Sequence, residues 1–200
     1  MTLRANALTA GLSYVFTLGA TYKSLSNSNS LAYVTIVTNS PPVGGTLVIS
    51  PTTGKALNET FSFTTSTWSD DVEDLPLQYS FLYTTAENVL SVIRSQNEVS
   101  YASSVLGQGP ETGTPQYGLT ATVIAYDIYG AYASADADVI VQPPDGGDDA
   151  VSKVLNYQLM ASFREQDANK VSSALSAVTS SMNSVDCIAA SLCASYNREA

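Results

Sequence analysis

The stretch Tyr117-Gly-Leu-Thr-Ala-Thr-Val-Ile-Ala-Tyr126 decides the fold, because β-branched and aromatic residues dominate it as they do in β-strands. The turn Asp127-Ile-Tyr-Gly130 follows, and a second strand from Ala131 to Val141 ends at Pro143-Pro144. Strand, turn and strand predict a β-hairpin that closes with a proline pair.

The same pattern occurs near the beginning of the sequence. The predicted strands Gly11–Ala20 and Leu31–Val37 come before Pro41-Pro42. Tyr14 precedes its proline pair by 27 residues and Tyr117 precedes its own by 26, so we interpret the two hairpins as copies of one unit.

Leu8 to Tyr14 has the spacing of a tyrosine corner, in which a Tyr hydroxyl ties down the chain that enters a late strand of a sandwich. We therefore expect residues 1–40 to be the last strands of a preceding sandwich domain. Residues 41–142 are expected to form a complete module.

Strand signals recur at regular intervals within that module, between Gly45–Ser50, Glu59–Thr64, Leu77–Tyr83, Val89–Arg94, Val99–Leu106 and the closing hairpin. About seven short strands over roughly 100 residues predict an immunoglobulin/fibronectin-III-like β-sandwich. The expected core draws on Phe61, Phe63, Trp68, Tyr79, Phe81, Val123 and Tyr126, although strand alternation will place some of them outside.

Residues 143–149, rich in Pro, Gly and Asp, predict a linker, and beyond it the apolar period changes from two to 3.6. Residues 150–200 are therefore expected to form a C-terminal αα-hairpin, connected at Arg164–Asp167, with Asp148, Asp149 and Asp167 near helix N-termini. The two predicted apolar faces are Val151, Val154, Leu155, Leu159 and Phe163, and then Val171, Ala174, Leu175, Val178, Met182 and Val185.

Composition excludes several classes of function. The net charge is −10 with eight basic residues, which argues against nucleic acid as a partner. The chain has no histidine, which excludes Ser-His-Asp triads and His-ligated zinc. No apolar run is long enough to insert into a membrane, and the N-terminus lacks the apolar region of a signal peptide, so a secreted form is expected to be part of something longer.

Cys187 and Cys193 are the two cysteines. Without histidine they make a poor zinc site, and a small disulfide-closed loop is favoured over free thiols, which implies an oxidising compartment. Asn58-Glu-Thr60 is the N-glycosylation sequon, and in such a compartment we expect it to be used.

The acidic loop that contains Asp70, Asp71, Glu73 and Asp74 is the main candidate site, with Asp127 as an addition from another hairpin. Carboxylates at this density are suited to calcium, which takes six to eight oxygen ligands. A solvated turn is the favoured interpretation, however, since acidic loops often bind nothing, and the EF-hand spacing is absent. Paired carboxylates also serve glycoside hydrolysis, but their place on one short loop, without a long cleft, argues against catalysis.

Several stretches together carry a resemblance to a known family: Asn39-Ser-Pro-Pro-Val-Gly-Gly-Thr46, Ser50-Pro-Thr-Thr-Gly-Lys-Ala-Leu57, Phe61-Ser-Phe63, Trp68-Ser-Asp-Asp71, Asp74-Leu-Pro-Leu-Gln-Tyr-Ser-Phe81 and Tyr126-Asp-Ile-Tyr-Gly130. In this order they resemble the receptor-for-egg-jelly (REJ) module of polycystin-type proteins, especially those of protists and algae. The helical tail up to Cys187 also looks like the segment that follows in such proteins.

The resemblance implies tandem immunoglobulin- or fibronectin-like folds in the ectodomain of a large membrane-anchored protein at the cell surface. It implies no enzymatic activity, no cofactor and partners that are protein or glycan ligands or neighbouring modules of the chain. The expected function is therefore adhesion or ligand binding. The alternative is a structural building block of a cell-surface or ciliary filament or stalk.

Overall fold

The computed structural model describes residues 2–4, 7–21, 29–145, 152–164 and 167–183. Cys187 and Cys193, Asp148 and Asp149, and Val151 and Val185 lie outside the described residues. The strands are β1 (Ser13–Thr21), β2 (Asn29–Val37), β3 (Thr46–Ser50), β4 (Thr53–Lys55), β5 (Thr60–Ser66), β6 (Gln78–Thr84), β7 (Leu90–Asn97), β8 (Tyr101–Val105), β9 (Gly118–Tyr126) and β10 (Tyr132–Gln142).

Eight of these strands form two sheets, one in the order β3-β5-β8 and the other in the order β4-β10-β9-β6-β7. The pairing is antiparallel except between β4 and β10, which run parallel. Buried and exposed residues alternate along β3 and β5, as expected where one sheet face packs on the core and the other meets water. The prediction of a mostly β, sandwich-like fold followed by helices is confirmed.

The core of the sandwich lies between the two sheets. Phe61, Phe63, Phe81 and Val123 are all buried, as predicted. Trp68 and Tyr79 pack against this core while remaining partly exposed. Tyr126 is also partly exposed, and its ring lies against that of Tyr132, with centroids 5.7 Å apart. Tyr83, which was not predicted to be in the core, is fully buried.

The helices cover one side of the sandwich. Helix α1 spans residues 152–164, with π-helical geometry over Val154–Leu159 and α-helical geometry over Met160–Arg164, and α2 spans Ala168–Asn183. Asp167 caps α2, since its Oδ1 accepts hydrogen bonds from the backbone N–H groups of Asn169 and Lys170, both at 3.1 Å. Helix α2 therefore begins after Asp167, as predicted, because this side chain caps its first turn.

The face of α2 that packs on β7 and β8 differs in part from the predicted one. Ala174 and Val178 are buried as predicted, but Leu175 and Met182 are 52% and 44% exposed, and Ala177 is buried in their stead. Short side chains allow α2 to approach so closely that a Cβ added at Gly107 would lie 2.8 Å from the Cβ of Ser180. Small side chains that let α2 approach the sheets closely, more than large apolar ones, determine which face of α2 is buried.

Strands β1 and β2 form a separate antiparallel hairpin, in register from Ser13 opposite Val37 to Thr21 opposite Asn29. The backbone N–H of Thr9 donates a hydrogen bond of 2.7 Å to the hydroxyl oxygen of Tyr14, which is the contact expected of a tyrosine corner. Large apolar side chains are exposed along both strands: Val15, Leu18, Leu31, Tyr33, Val34, Ile36 and Val37. The hairpin therefore presents an uncovered apolar surface.

Candidate functional site

The segment that leads from the first hairpin into the sandwich pairs with the loop after β5. Val43 and Ser69 exchange two backbone hydrogen bonds, each of 2.9 Å, in an isolated antiparallel bridge. The Thr67 hydroxyl donates to the carbonyl oxygen of Gly44 at 2.8 Å. Two of the motifs that carry the family resemblance, N-x-P-P-x-G-G and W-x-D-D, are therefore neighbours in space.

Trp68 packs directly against Gly45. A Cβ placed on Gly45 would lie 1.9 Å from Cε2 of the indole ring, which leaves no space for any other residue at this position. The indole Nε1 donates a hydrogen bond of 2.6 Å to the hydroxyl of Thr65. This contact fixes the orientation of the ring, and with it the path of the chain into the acidic loop.

The acidic loop follows at once. A short 3-10 helix, Val72–Asp74, folds the loop so that one carboxylate oxygen from each of Asp70, Asp71 and Asp74 lies within 4.8 Å of the other two. Asp74 is only 6% exposed, whereas Asp71 is exposed. Glu73 is exposed and does not belong to this cluster, although the sequence placed it in the candidate set. We call Asp70, Asp71 and Asp74 the acidic cluster.

Asp127 lies beside the acidic cluster and organises the turn between β9 and β10. Its Oδ1 accepts hydrogen bonds from the backbone N–H groups of Tyr129 at 2.8 Å and Ala131 at 2.9 Å. Its Oδ2 accepts a hydrogen bond from the side-chain amide of Asn39. Asp127 is 3% exposed, and its carboxylate is buried with these three donors around it. Its observed role is to hold this turn and the amide of Asn39.

The electrostatics of the site are those of crowded like charges. Burial raises the pKa of the Asp74 carboxyl, and the nearby carboxylates of Asp70, Asp71, Asp127 and Glu73 raise it further. Two side-chain oxygens, Oδ2 of Asp70 and Oδ1 of Asn39, are buried with no hydrogen-bond partner among the described residues. Oxygen atoms with unused lone pairs thus accumulate at this corner.

Sequence reasoning missed Asn39. An amide 88 residues away from Asp127 gives no local signal, and the signal that was available is its place at the start of the N-x-P-P-x-G-G motif. The other candidates were identified by type and density alone. The structure brings Asp70, Asp71 and Asp74 together, places Asp127 at their margin and leaves Glu73 outside.

The sequon lies near the C-terminal end of β10, whereas Asp127 precedes the N-terminal end of that strand. Asn58 is exposed in the turn before β5, and its Oδ1 accepts a hydrogen bond of 2.9 Å from the backbone N–H of Asp145. Its Nδ2, the atom that glycosylation modifies, donates a long bond of 3.4 Å to the carbonyl oxygen of Asp145. An N-linked glycan would retain one N–H on that nitrogen.

A β-sandwich whose signature motifs meet at one acidic corner defines the chain as an immunoglobulin/fibronectin-III-like module. Within the described residues, no helix is long and apolar enough to cross a membrane. The chain belongs to the REJ domain family, because the family model described as the REJ domain matches residues 1–180. This match confirms the resemblance inferred from the motifs.

REJ domains are non-catalytic modules found in the extracellular regions of polycystin-type proteins. A comparison with curated proteins gives no match to this sequence.

Proposed function

We propose that this chain is a non-catalytic extracellular module of a larger, membrane-anchored polycystin-like protein, and that it acts in adhesion or ligand binding at the cell surface. Its partners are protein or glycan ligands and the neighbouring modules of its own polypeptide. Residues 41–142 are the sandwich module, residues 143–149 link it to the helices, and residues 1–40 belong to a second sandwich.

The uncovered apolar face of the first hairpin carries this proposal. Phe16, Leu18 and Val34 lie on one face of the hairpin. Leu18 is 73% exposed and Val34 is 55% exposed. An exposed apolar surface of this kind marks an interaction site in a soluble protein. The observation favours a chain built from adjoining sandwiches, as in an adhesive ectodomain.

The occupant of that face is inferred from the second hairpin. Counted from Tyr14, the residues Phe16, Leu18 and Ala20 hold the positions that Leu119, Ala121 and Val123 hold when counted from Tyr117. The second set is buried in the sandwich core, at 4%, 0% and 0% exposure. By this correspondence, the first set faces the core of a sandwich whose other strands belong to the same parent polypeptide.

The geometry of the acidic cluster supports a non-catalytic function. Glycosidases hold two carboxyl groups on opposite sides of the scissile bond. The three carboxylates of the acidic cluster come instead from a single loop, with one oxygen of each within 4.8 Å of the others. Such an arrangement suits a cation better than a sugar ring between two opposed carboxylates.

A chain extended upstream along the parent polypeptide tests the tandem arrangement. Amide hydrogen exchange in β1 and β2 should slow by at least tenfold in the extended protein, because completing the sandwich buries the apolar face. The amides of β5 serve as an internal control that should not change. Equal exchange in the two proteins would overturn the assignment of residues 1–40 to a neighbouring sandwich.

The adhesive function is tested with the extended protein immobilised on a surface. Saturable binding of a cell-surface protein or of members of a glycan array is the expected result. Measurable turnover of a glycan panel would contradict the non-catalytic assignment.

The alternative function is a structural building block of a cell-surface or ciliary filament or stalk. Within the described residues, β2 and β7 each pair with a strand on one edge only, and an unpaired strand edge is able to add a further strand. Electron microscopy distinguishes the two functions. End-to-end filaments of the purified protein would support the alternative, whereas dispersed particles with ligand binding would support adhesion.

A further inference from the structure

We propose that the end of the sandwich at which the chain enters packs against the preceding sandwich of the parent polypeptide, through the exposed side chains of Val72, Ile128 and Tyr129. We call these three residues the apolar tip. The inference rests on the proposed function, in which residues 1–40 belong to that preceding sandwich, and it assigns the surface of residues 41–142 that the neighbour contacts.

The strand register brings the apolar tip to the end of the module that follows the first hairpin. Thr46, the first residue of β3, lies opposite Ser66, the last residue of β5, so the chain enters the sandwich where the acidic loop begins. Gln78, the first residue of β6, lies opposite Tyr126, the last residue of β9. The acidic loop and the turn between β9 and β10 are therefore neighbours at the end that the first hairpin approaches.

The joint between the first hairpin and the sandwich is short. The backbone N–H of Gly11 donates a hydrogen bond of 3.2 Å to the carbonyl oxygen of Asn39, and Val43 is already paired with Ser69. The four residue steps from Asn39 to Val43 span at most about 14 Å, and two of the residues between them are prolines, which restrict the backbone. A sandwich that contains the first hairpin is therefore held next to this end of the module.

The side chains presented at this end are apolar. Val72 is 84% exposed in the acidic loop, and Ile128 and Tyr129 are 50% and 69% exposed in the turn between β9 and β10. Isolated apolar residues on a surface are ordinary, but several that share one end of a module beside a tethered neighbour indicate a contact surface.

The backbone of the turn is fixed before any contact forms. The N–H of Ile128 donates a hydrogen bond of 3.2 Å to the carbonyl oxygen of Asp74, which joins the turn to the acidic loop. Oδ1 of Asp127 accepts hydrogen bonds from the N–H groups of Tyr129 and Ala131. A surface that is ordered in advance loses little conformational entropy when it binds, which favours association.

Contact between the two sides of the joint already begins beside the apolar tip. The amide of Asn39, two residues after β2, donates a hydrogen bond to Oδ2 of Asp127, and Ile128 and Tyr129 are the next residues of the chain. The apolar tip therefore continues an existing contact, and the loops of the preceding sandwich are the surface that would extend it.

The hairpin side of the joint is apolar as well. Leu12 immediately precedes β1 and Val37 ends β2, so both lie at the end of the hairpin nearest the sandwich. Both side chains are exposed, at 50% and 74%. Apolar residues on both sides of the joint fit an interface with a non-polar centre and a polar rim, to which the exposed acids of the loop belong.

Hydroxyl-radical labelling with mass spectrometry tests the contact in a protein extended upstream to include the preceding sandwich. Modification of Ile128 and Tyr129 should fall at least threefold relative to this chain alone. Tyr157, which is 73% exposed on α1, is the control and should be modified equally in the two proteins. Unchanged labelling of the apolar tip, in an extended protein whose β1 and β2 are protected from hydrogen exchange, would overturn this inference and leave the tandem arrangement standing. Protection of neither would overturn both.

Tyr129→Ser tests whether the contact stabilises the module. In this chain alone the change is at an exposed position and should shift the melting temperature by less than about 2 °C. In the extended protein it should lower the melting temperature by at least about 3 °C more, because the side chain is buried there. Tyr157→Ser is the matched control and should have the same effect in both proteins, and circular dichroism confirms that the variants fold.

A second pair of variants repeats the test in the acidic loop. Val72→Ser should also cost more in the extended protein than in this chain, whereas Val48→Ser, a change on the exposed face of β3, should cost the same in both. Equal effects of Tyr129→Ser and of Val72→Ser in the two proteins would show that the apolar tip stays in water, and the inference would be wrong.

Discussion

Replacing Gly45 with alanine tests whether the contact with Trp68 organises the candidate site. The new Cβ would lie 1.9, 2.1 and 2.2 Å from three atoms of the indole ring, so the ring has to move. Overpacking of this kind costs about 1–3 kcal/mol. Loss of the hydrogen bond from the indole to Thr65 adds about 1 kcal/mol. We expect the free energy of unfolding to fall by about 2–4 kcal/mol.

The assay is urea unfolding followed by far-ultraviolet circular dichroism, in which the midpoint should fall by roughly 1 M. Trp68 is the one tryptophan of the chain, so intrinsic fluorescence of Gly45→Ala should also report a displaced indole. Gly19→Ala is the control for a glycine-to-alanine change in a strand, because its Cβ would meet its nearest neighbour at an ordinary 3.4 Å.

A double-mutant cycle isolates the contact. In a Trp68→Leu background the smaller side chain leaves space for the new Cβ, and Gly45→Ala should cost at least about 1 kcal/mol less than in the parent chain. If the cost is the same in both backgrounds, or no larger than that of Gly19→Ala, the contact does not organise this corner and the reasoning is wrong.

Three further predictions follow from buried and exposed polar groups. Asp74→Asn should raise the melting temperature, because it removes a charge that lies among like charges, and differential scanning calorimetry of the variant and the parent chain measures the shift. An unchanged or lower melting temperature would contradict this prediction. Burial raises the pKa of the Tyr83 phenol above its ordinary value of 10.0, so the stability it contributes is present below about pH 10 and is lost as the pH rises further. Tyr83→Phe should therefore flatten the alkaline decline in stability that chemical-denaturation curves measure, and an unchanged decline would contradict this prediction. Expression in a secretory eukaryotic host should add a glycosidase-sensitive mass at Asn58. Thr60→Ala, which changes the exposed first residue of β5, should remove that mass without loss of fold. A parent chain without the added mass would contradict the prediction.

Local pattern was sufficient for most of the sandwich because alternation along a strand is set by the backbone itself. The hairpin of β9 and β10 and the strands β5 and β6 follow from it directly. Strand β4 does not, because three residues are too few to show a period, and no strand was predicted between Ser50 and Glu59. Its parallel partner β10 lies far along the chain, and that contact makes it a strand.

Helix α2 shows a second limit. A hydrophobic period of 3.6 residues identifies residues that share one face of a helix, but it does not show which face contacts the sheets. The sequence favoured the larger residues Leu175 and Met182, whereas contact with Gly107 and the neighbouring strands requires small ones. Shape at the contact decided between two adjacent stripes.

The sequence predicted which acidic residues belong to the candidate site, but not how they are arranged in space. Carboxylates within one loop are visible in the sequence, and Asp70, Asp71 and Asp74 converge because the single helical turn Val72–Asp74 brings the third carboxylate back to the first two. The positions of the Asn39 and Asp127 side chains depend on the hydrogen bond between them, which joins residues 88 positions apart in the sequence. Only the folded chain reveals which oxygens that bond uses and which it leaves unused.

The parallel pairing of β4 with β10 has a mechanical consequence. Thr53 to Lys55 lie beside Ile140 to Gln142, near the two ends of the sandwich module, and the chain leaves the pair in opposite directions. Tension along the polypeptide therefore shears these hydrogen bonds together instead of unzipping them singly. Parallel pairing of this kind therefore gives the module resistance to unfolding by a pulling force.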